Sequence, residues 1–368
     1  MTKILVTGAT GFLGSALVAN LLAEDCRVVA LSRNDPSGQR TRTAVEKAAA
    51  GFGCTLGPIH WSRLTIVEVD FRALDQTLSP EVFEGVTAVW NAAAEMSYGI
   101  KKILDSVNQN VIASGMLYKL AAQHAHDCRR FYHVSTAYAA GFGKDDALEE
   151  VNFTPGLVNS YQLSKWVAEV ALLHSQAQRG LPLTIFRPSI VIGHERTGWS
   201  TGVSFGAYLL TAAVLYGKQA GAAHLAFDLE PDGLPNLVCI DTVVRRALAL
   251  TRIEGPIRRP AEIFHCVSDR PTTVAELLET IADTVGVPVS FGPPVCETDH
   301  QINAVFERNK AFANGHWRFH TERLEEVLGE VYGPVGITRE IIRRSMSHYL
   351  AHQAAEAKAK AEERSNAA

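Results

Sequence analysis

Eight residues near the start of the chain, Thr7-Gly8-Ala9-Thr10-Gly11-Phe12-Leu13-Gly14, restrict the fold more than any other stretch. The run before them, Lys3 to Thr7, is short and apolar, and the run after them sets Phe12, Leu13, Ala16, Leu17, Leu21 and Leu22 at helical spacing. A strand therefore enters the glycine turn and a helix leaves it. Gly8 permits a tight turn, Gly11 lets the backbone come close to a phosphate, and Gly14 lets the helix pack against the strand. The helix N-terminus adds free N–H groups and a partial positive charge. Glycine triplets alone are common in turns for conformational reasons. Flanked in this way, Gly8, Thr10, Gly11, Phe12, Leu13 and Gly14 are expected to cradle the pyrophosphate of a dinucleotide.

The pattern continues downstream. Further β-branched runs fall at residues 27–31, 65–69, 88–91, 130–135 and 183–187, with longer helical patterns between them. One of these patterns, Ile103, Val107, Val111 and Leu117 or Tyr118, keeps helical spacing less strictly. Six strands with intervening helices predict an α/β fold, a Rossmann-type doubly wound parallel sheet. Residues 34–63 and 141–160 are longer than ordinary connections and are read as candidate functional insertions. Past Gly193 the periodicity weakens, which predicts a smaller, irregular C-terminal region. The expected division is a dinucleotide-binding domain over 1–193, with later segments returning to it, a substrate region over 194–350, and a frayed or disordered tail over 351–368.

Composition narrows the function classes. The chain has 368 residues, 47% hydrophobic and 20% charged, with a net charge of -4, and its pI is near 6.4. That balance predicts a globular protein and excludes one that depends on nucleic-acid phosphate. The passage from Met1, Thr2 and Lys3 straight into Ile4 leaves no room for a secretory leader. The weakly polar stretch 203–217 is shorter than the ~20 residues of a membrane span, so it is read as a core or pocket helix. Six scattered cysteines, Cys26, Cys54, Cys128, Cys239, Cys266 and Cys296, suit a reducing cytoplasm rather than disulfides or zinc.

The end of the second strand separates the two nicotinamide dinucleotides. An acid there would bond the adenosine ribose of NAD; the chain instead reads Leu31-Ser32-Arg33, and an arginine is placed to pair with a 2′-phosphate. NADP (NADPH) is the expected cofactor. Asp70 and Phe71, closing the third strand, are expected to flank the adenine, with a structural cap as the other reading of Asp70. Tyr161 and Lys165 lie four residues apart in a stretch whose Leu163, Trp166, Val167 and Val170 mark a helix, so they share a face. A phenol needs a neighbouring ammonium to lower its pKa from about 10, and Lys165 is expected to supply it. The pair follows the strand ending His133-Val134-Ser135-Thr136, which delivers a hydroxyl to the sheet's carboxyl edge.

The glycine turn, the Asn91-Ala92-Ala93 turn after the fourth strand, HVSTAY, the Y-x-x-x-K pair and FRPSIVIG together resemble an extended short-chain dehydrogenase/reductase. Within that superfamily VSTAY, YQLSKWVAE, RPSIVIGHERTGW and the later HWRFH are most similar to the thioester reductase and fatty acyl-CoA reductase (male-sterility-like) branch. The resemblance implies Thr136 as the catalytic hydroxyl rather than Ser135, Tyr161 as the proton donor, and Lys165 as its partner and a holder of the nicotinamide ribose. It also implies Asn91, Ala92, Ala93, Asn110 and Pro188 beside the cofactor, with helix packing an equal reading of Asn110. The implied reaction is hydride transfer from NADPH to a carbonyl. The implied substrate is an acyl thioester on CoA or a carrier protein, or the corresponding aldehyde. A homodimer through the helices bearing Asn110 and Tyr161 is a further implication. Substrate contacts are expected in residues 141–144 and 194–208 and in Phe227, Trp317 and Phe319.

The same residues admit other readings. A nucleotide-sugar epimerase or dehydratase would use the same trio but predicts an acid near Ser32 and, for a dehydratase, acids after Thr136 where Ala137 stands. A non-catalytic NADP-binding regulator commonly lacks the Tyr–Lys pair. Gly202-Val203-Ser204-Phe205-Gly206 matches a hydrolase nucleophile elbow but lacks a strand leading into it. His124 and His126 are read as solvated rather than metal-binding.

Overall fold

A computed structural model describes residues 2–142, 146–253 and 259–366. The chain runs β1 (Lys3–Thr7), α1 (Phe12–Ala23), β2 (Arg27–Ser32), α2 (Gln39–Gly51), α3 (Pro58–Trp61), β3 (Leu64–Glu68), α4 (Leu74–Thr77), β4 (Val86–Asn91), α5 (Ile103–Ser106) and α6 (Ala113–His124). It continues with β5 (Arg130–Val134), β6 (Asp146–Ala147), α7 (Ser160–Arg179), β7 (Leu183–Pro188), β8 (Ile190–Ile192), α8 (Ala207–Gln219), β9 (Leu225–Phe227), β10 (Leu237–Cys239) and α9 (Ile240–Arg252). The last elements are β11 (Ala261–Cys266), α10 (Val274–Val285), β12 (Val289–Phe291), α11 (Glu297–Ala313), β13 (Arg318–Phe319), α12 (Glu322–Leu328) and α13 (Arg339–Asn366).

The residues divide into two compact units: Met1–Ser189 with Thr242–Val267 and Trp317–Pro334, and Ile190–Asp241 with Ser268–His316 and Val335–Ala368. The first unit holds a parallel sheet of seven strands in the order β11-β7-β5-β4-β1-β2-β3. The Rossmann-type sheet expected from the β-branched runs is therefore present, with one strand more than the six predicted. That strand, Ala261–Cys266, pairs with β7 from Ala261 opposite Leu183 to Cys266 opposite Pro188. Residues 34–63 also prove to be more than an insertion. Neighbouring parallel strands cannot be joined by a tight turn, and α2 is the crossover between β2 and β3, packing Thr41, Val45, Ala48 and Ala49 inward.

Between β4 and α6 the chain takes a π-type turn at Val107–Ile112. Its wider winding breaks the 3.6-residue period, which is why the apolar spacing there is irregular. The first unit's core joins Leu5, Val29, Leu31 and Val89 of the sheet to Leu117 and Tyr118 of α6 and Leu172 of α7. The strand order reverses at β1, which lies between β2 and β4, and ligand crevices in such sheets open at that point, at the strands' carboxyl ends.

The second unit packs α8, α10, α11 and α13 around Tyr208, Val214, Leu225, Phe227, Ile281, Ile342 and Tyr349. The apolar stretch 203–217 thus ends in α8, a core helix, and Ser204 follows no strand. No helix among the described residues is long and apolar enough to cross a membrane.

Candidate active site

At the turn after β1, Gly8 has φ +77, and a Cβ there would lie 2.8 Å from the Ala92 carbonyl carbon and the Ala93 nitrogen. A Cβ on Gly14 would sit 2.1 Å from the Gly8 oxygen. The turn is closed by Gly11 N–H donating to the Gly8 carbonyl at 2.9 Å. Thr10 and Gly11 are exposed, Phe12 and Leu13 are partly buried, and α1 starts at Phe12 with no side chain capping it. A backbone cradle packed too tightly for side chains at Gly8 and Gly14, at an uncapped helix N-terminus, fits a pyrophosphate.

Asn91 is buried and its side chain is occupied in holding this crevice together. Its Oδ1 accepts from Thr7 Oγ1 at 2.8 Å, its Nδ2 donates to Ser114 Oγ at 2.8 Å, and Thr7 Oγ1 accepts from Ala93 N–H at 3.1 Å. What the turn after β4 leaves for a ligand is its backbone.

At the end of β2, Ser32 is buried and Arg33 exposed. The acid three residues on, Asp35, is buried and caps α2, accepting from Arg40 N–H and Thr41 N–H at 3.0 Å each and from Thr41 Oγ1 at 2.7 Å. Burial opposes its ionisation, but these bonds and one from Ser32 outweigh it and hold the carboxyl below the usual carboxylate range. Arg40, unnoticed in the sequence, donates to the carbonyls of Arg33 and Asn34 at 3.1 and 3.0 Å, which puts a second guanidinium on this edge. Asp70 is exposed and caps its own turn, accepting from Arg72 N–H at 2.9 Å, while Phe71 is partly buried beside it.

On the other side of β1, the strand β5 stops at Val134. Ser135 donates its hydroxyl to Glu169 Oε1 at 2.5 Å. Thr136 is extended at φ -147 and opens a short helical turn, its Oγ1 accepting from Tyr138 N–H at 3.3 Å. The start of α7 is fixed by Asn159, which accepts from Gln162 N–H at 2.8 Å, and by Ser160, which donates to the Ser97 carbonyl at 2.9 Å. One residue in stands Tyr161, partly buried, with the Tyr98 ring edge-on at 5.9 Å. One turn further Lys165 is buried and donates to the Val134 carbonyl at 2.5 Å.

Asn110, inside the π-type turn, accepts from Glu95 N–H at 2.8 Å and donates to Ser164 Oγ at 2.8 Å. It ties the segment after β4 to α7. Pro188 is buried at the end of β7.

The electrostatics depart from the sequence argument. Lys165 was expected to draw the Tyr161 phenol down. Instead burial, with Tyr98 adding to it, holds that phenol above its ordinary value, and Lys165 itself is pushed down to about 8 by burial, with Glu169 opposing. Desolvation, which residue spacing on a helix face does not reveal, is the larger effect on both groups. Beside them His133 is held well below its ordinary value by burial and by Lys165.

Of the residues expected to meet substrate, Gly143 and Lys144 lie outside the described residues. Trp317 and Phe319 instead pack with Tyr138 at 5.0 and 5.6 Å, and Trp317 donates to the Gly141 carbonyl at 2.9 Å. Phe227 is fully buried in the second unit's core.

The sequence profile of the male sterility protein family matches residues 6–246. The chain belongs to that family. Its members are extended short-chain dehydrogenase/reductases, NAD(P)-dependent oxidoreductases, and the resemblance drawn from VSTAY and its companion motifs is borne out. Similar proteins include the non-canonical nonribosomal peptide synthetase cpsA of Aspergillus campestris, 22% identical over 73% of this chain and 26% of its own length. Fatty acyl-CoA reductase 1 of Pongo abelii is 28% identical over 72% of this chain and 58% of its own. An isonitrile lipopeptide synthase of Streptomyces coeruleorubidus is 28% identical over 62% of this chain and only 15% of its own. The chain thus spans about a quarter or less of the synthetases it matches.

Among solved structures, the terminal R domain from the myxalamid PKS-NRPS biosynthetic pathway superposes with a TM-score of 0.77 at 21% identity, over 96% of this chain and 91% of that one. UDP-glucuronic acid 4-epimerase from Bacillus cereus, in complex with NAD, does so with a TM-score of 0.68 at 17% identity, over 95% and 96%. At these identities the likeness is one of fold.

Proposed function

We propose that this male sterility family member is an NADPH-dependent reductase that converts an acyl thioester, carried on CoA or on a carrier protein, to the aldehyde, with Thr136, Tyr161 and Lys165 as its catalytic groups. One arrangement supports the reading above all. A glycine cradle that admits no side chain at Gly8 or Gly14 and a helix face bearing Tyr161 and Lys165 stand at the same carboxyl edge of one parallel sheet. Ser135 donates its proton to Glu169, whereas the Thr136 hydroxyl only accepts, from Tyr138 N–H, which favours Thr136 as the hydroxyl that donates to substrate. The synthetase and fatty acyl-CoA reductase relatives favour a thioester substrate. The second unit, Ile190–Asp241 with Ser268–His316 and Val335–Ala368, is assigned to the acyl chain.

The cofactor would be held by the Gly8–Gly14 turn, Arg33, the Asn91–Ala93 backbone and Lys165, and when bound supplies a hydride. Thr136 and Tyr161 hold the carbonyl oxygen by hydrogen bonds that strengthen as negative charge develops on it, and Tyr161 gives up its proton there. The resulting hemithioacetal releases the thiol and leaves the aldehyde. The test is NADPH oxidation by the purified chain offered an acyl-CoA, the matching aldehyde and a carrier-bound acyl group. Aldehyde from a thioester supports the reading; tight NADPH binding with no oxidation by any of the three overturns it.

Two further expectations follow from the site. Arg33→Ala should raise the KM for NADPH roughly tenfold or more, the value of a charge-assisted hydrogen bond, and leave that for NADH within twofold. Equal effects on both cofactors in steady-state kinetics would remove Arg33 from the 2′-phosphate. The second concerns pH. Burial lowers Lys165 to about 8, so its charge is present below that value and lost above it. If the ammonium supports proton donation by Tyr161, kcat/KM for reduction should fall as pH rises through about 8. A profile flat to pH 10 would contradict this.

A further inference from the structure

Glu169 stands one turn beyond Lys165 on α7, and its side chain and that of Arg187 on β7 are wholly buried. Its Oε1 accepts from Ser135 Oγ at 2.5 Å and from Arg187 Nε at 2.9 Å, and its Oε2 accepts from the other end of the guanidinium at 2.5 Å. Arg187 also donates to His265 Nε2 at 3.2 Å, and His265 Nδ1 donates to the His320 carbonyl at 2.9 Å. The histidine, which burial holds down to about 3, is neutral and uses one nitrogen as acceptor and the other as donor. The carboxylate is therefore gripped from β7 by an arginine that β11 braces through His265, and it in turn grips the residue next to Thr136. A planar guanidinium bonded along two edges fixes the orientation of the carboxylate as well as its position.

We propose that Glu169 is a positioning residue: held by Arg187, it clamps the Ser135 hydroxyl and so sets where Thr136 stands relative to Tyr161 and Lys165 on the same helix. A buried ion pair is poor evidence for stability, because desolvation cancels much of its attraction, so stability alone does not account for this one. The Ser135 bond supplies a further role. It joins the strand that carries the hydroxyl to the helix that carries the acid. The inference rests on the reductase reading above.

Ser135→Ala tests it, since it cuts the clamp while leaving the Glu169–Arg187 pair intact. The expected result is a fall in kcat of roughly 10- to 100-fold, the scale of a misplaced reacting group. The KM for NADPH should stay within twofold, and the melting temperature should fall by no more than a few degrees, the cost of one buried hydrogen bond to a charged group. An unchanged kcat overturns the proposal. So does a loss as large as that of Thr136→Ala, which would make Ser135 itself the catalytic hydroxyl. Crystal structures of wild type and Ser135→Ala with NADP provide a readout independent of turnover. The Thr136 Oγ1 to Tyr161 Oη separation should change by more than ~0.5 Å, the tolerance of a working site, and an unchanged separation overturns the clamp. If the wild type reduces no carbonyl at all, the functional reading fails, and the structural comparison still decides whether Glu169 positions Thr136.

Discussion

Tyr161→Phe should lower kcat about 10²- to 10⁴-fold on thioester and aldehyde alike, the range for loss of a positioned general acid. The KM for NADPH should stay near the wild-type value. The substitution removes one oxygen, and that oxygen makes no hydrogen bond among the described residues, so no buried partner is left unsatisfied. The ring's edge contact with Tyr98 survives, and the melting temperature should not move. The size of the catalytic loss follows from what the phenol does.

Burial holds Tyr161 above its ordinary value, so near neutrality it keeps its proton and is poised as a donor, not as a base. An alkoxide forming on a reduced carbonyl is a stronger base than a phenolate, so the transfer runs downhill even from a phenol shifted this way. In the proposed mechanism Lys165 would add to the driving force only while it is charged, which links this prediction to the pH profile. A Tyr161→Phe enzyme that retains more than a tenth of kcat would take the proton-donor role away from Tyr161. Steady-state kinetics at saturating NADPH, with a melting curve on the same preparation, decide it.

What could be read from the sequence was what short range determines. The turn at Gly8, Gly11 and Gly14 was legible because a strand, three glycines and a helix follow one another directly, and Tyr161 and Lys165 because four residues on a helix make one face. β11 was not legible. Between it and its partner β7 lie the second unit's first segment, Ile190–Asp241, and α9, and nothing within Ala261–Cys266 announces that pairing. α2 is hard to see in the sequence because its inward face is Thr41, Val45, Ala48 and Ala49, too small and mixed to stand out as an apolar stripe. The period around Asn110 was blurred by a π-type turn, a backbone irregularity with no residue signature.

Glu169 was visible as the residue four past Lys165, on the face already singled out. Its significance was not, because Ser135 and Arg187 reach it only once β5 and β7 lie side by side under α7. The same holds for the Tyr161 phenol: charge neighbours can be guessed from spacing, but burial has to be seen.

Gly14→Ala should abolish useful NADPH binding, raising Kd at least ~100-fold, the value of about two hydrogen bonds to a charged group. It should also lower the melting temperature. The new methyl would lie 2.1 Å from the Gly8 oxygen, 2.5 Å from the Gly8 carbonyl carbon and 3.1 Å from the Ala9 nitrogen, all backbone atoms that no rotamer change can move. Ordinary contact would need more than an ångström of extra room. Because α1 begins two residues earlier, the helix must retreat from the turn to find it. That retreat withdraws the helix N-terminus from Gly11, where a pyrophosphate would sit, and weakens both the free N–H groups and the dipole acting on it. It also disturbs the packing of Ala16, Leu17 and Leu21, which are buried under α1, at the cost of roughly 1–3 kcal/mol expected for overpacking.

Gly11→Ala supplies the contrast. Its Cβ would approach only the Gly8 oxygen, at 3.3 Å, and the position is exposed, so the fold should tolerate it while the methyl occupies ligand space. Melting curves paired with NADPH fluorescence titrations therefore separate the two glycines: Gly14→Ala loses stability and binding together, Gly11→Ala loses binding alone. Wild-type NADPH affinity in Gly14→Ala would mean that the helix approach at this turn is not what holds the cofactor.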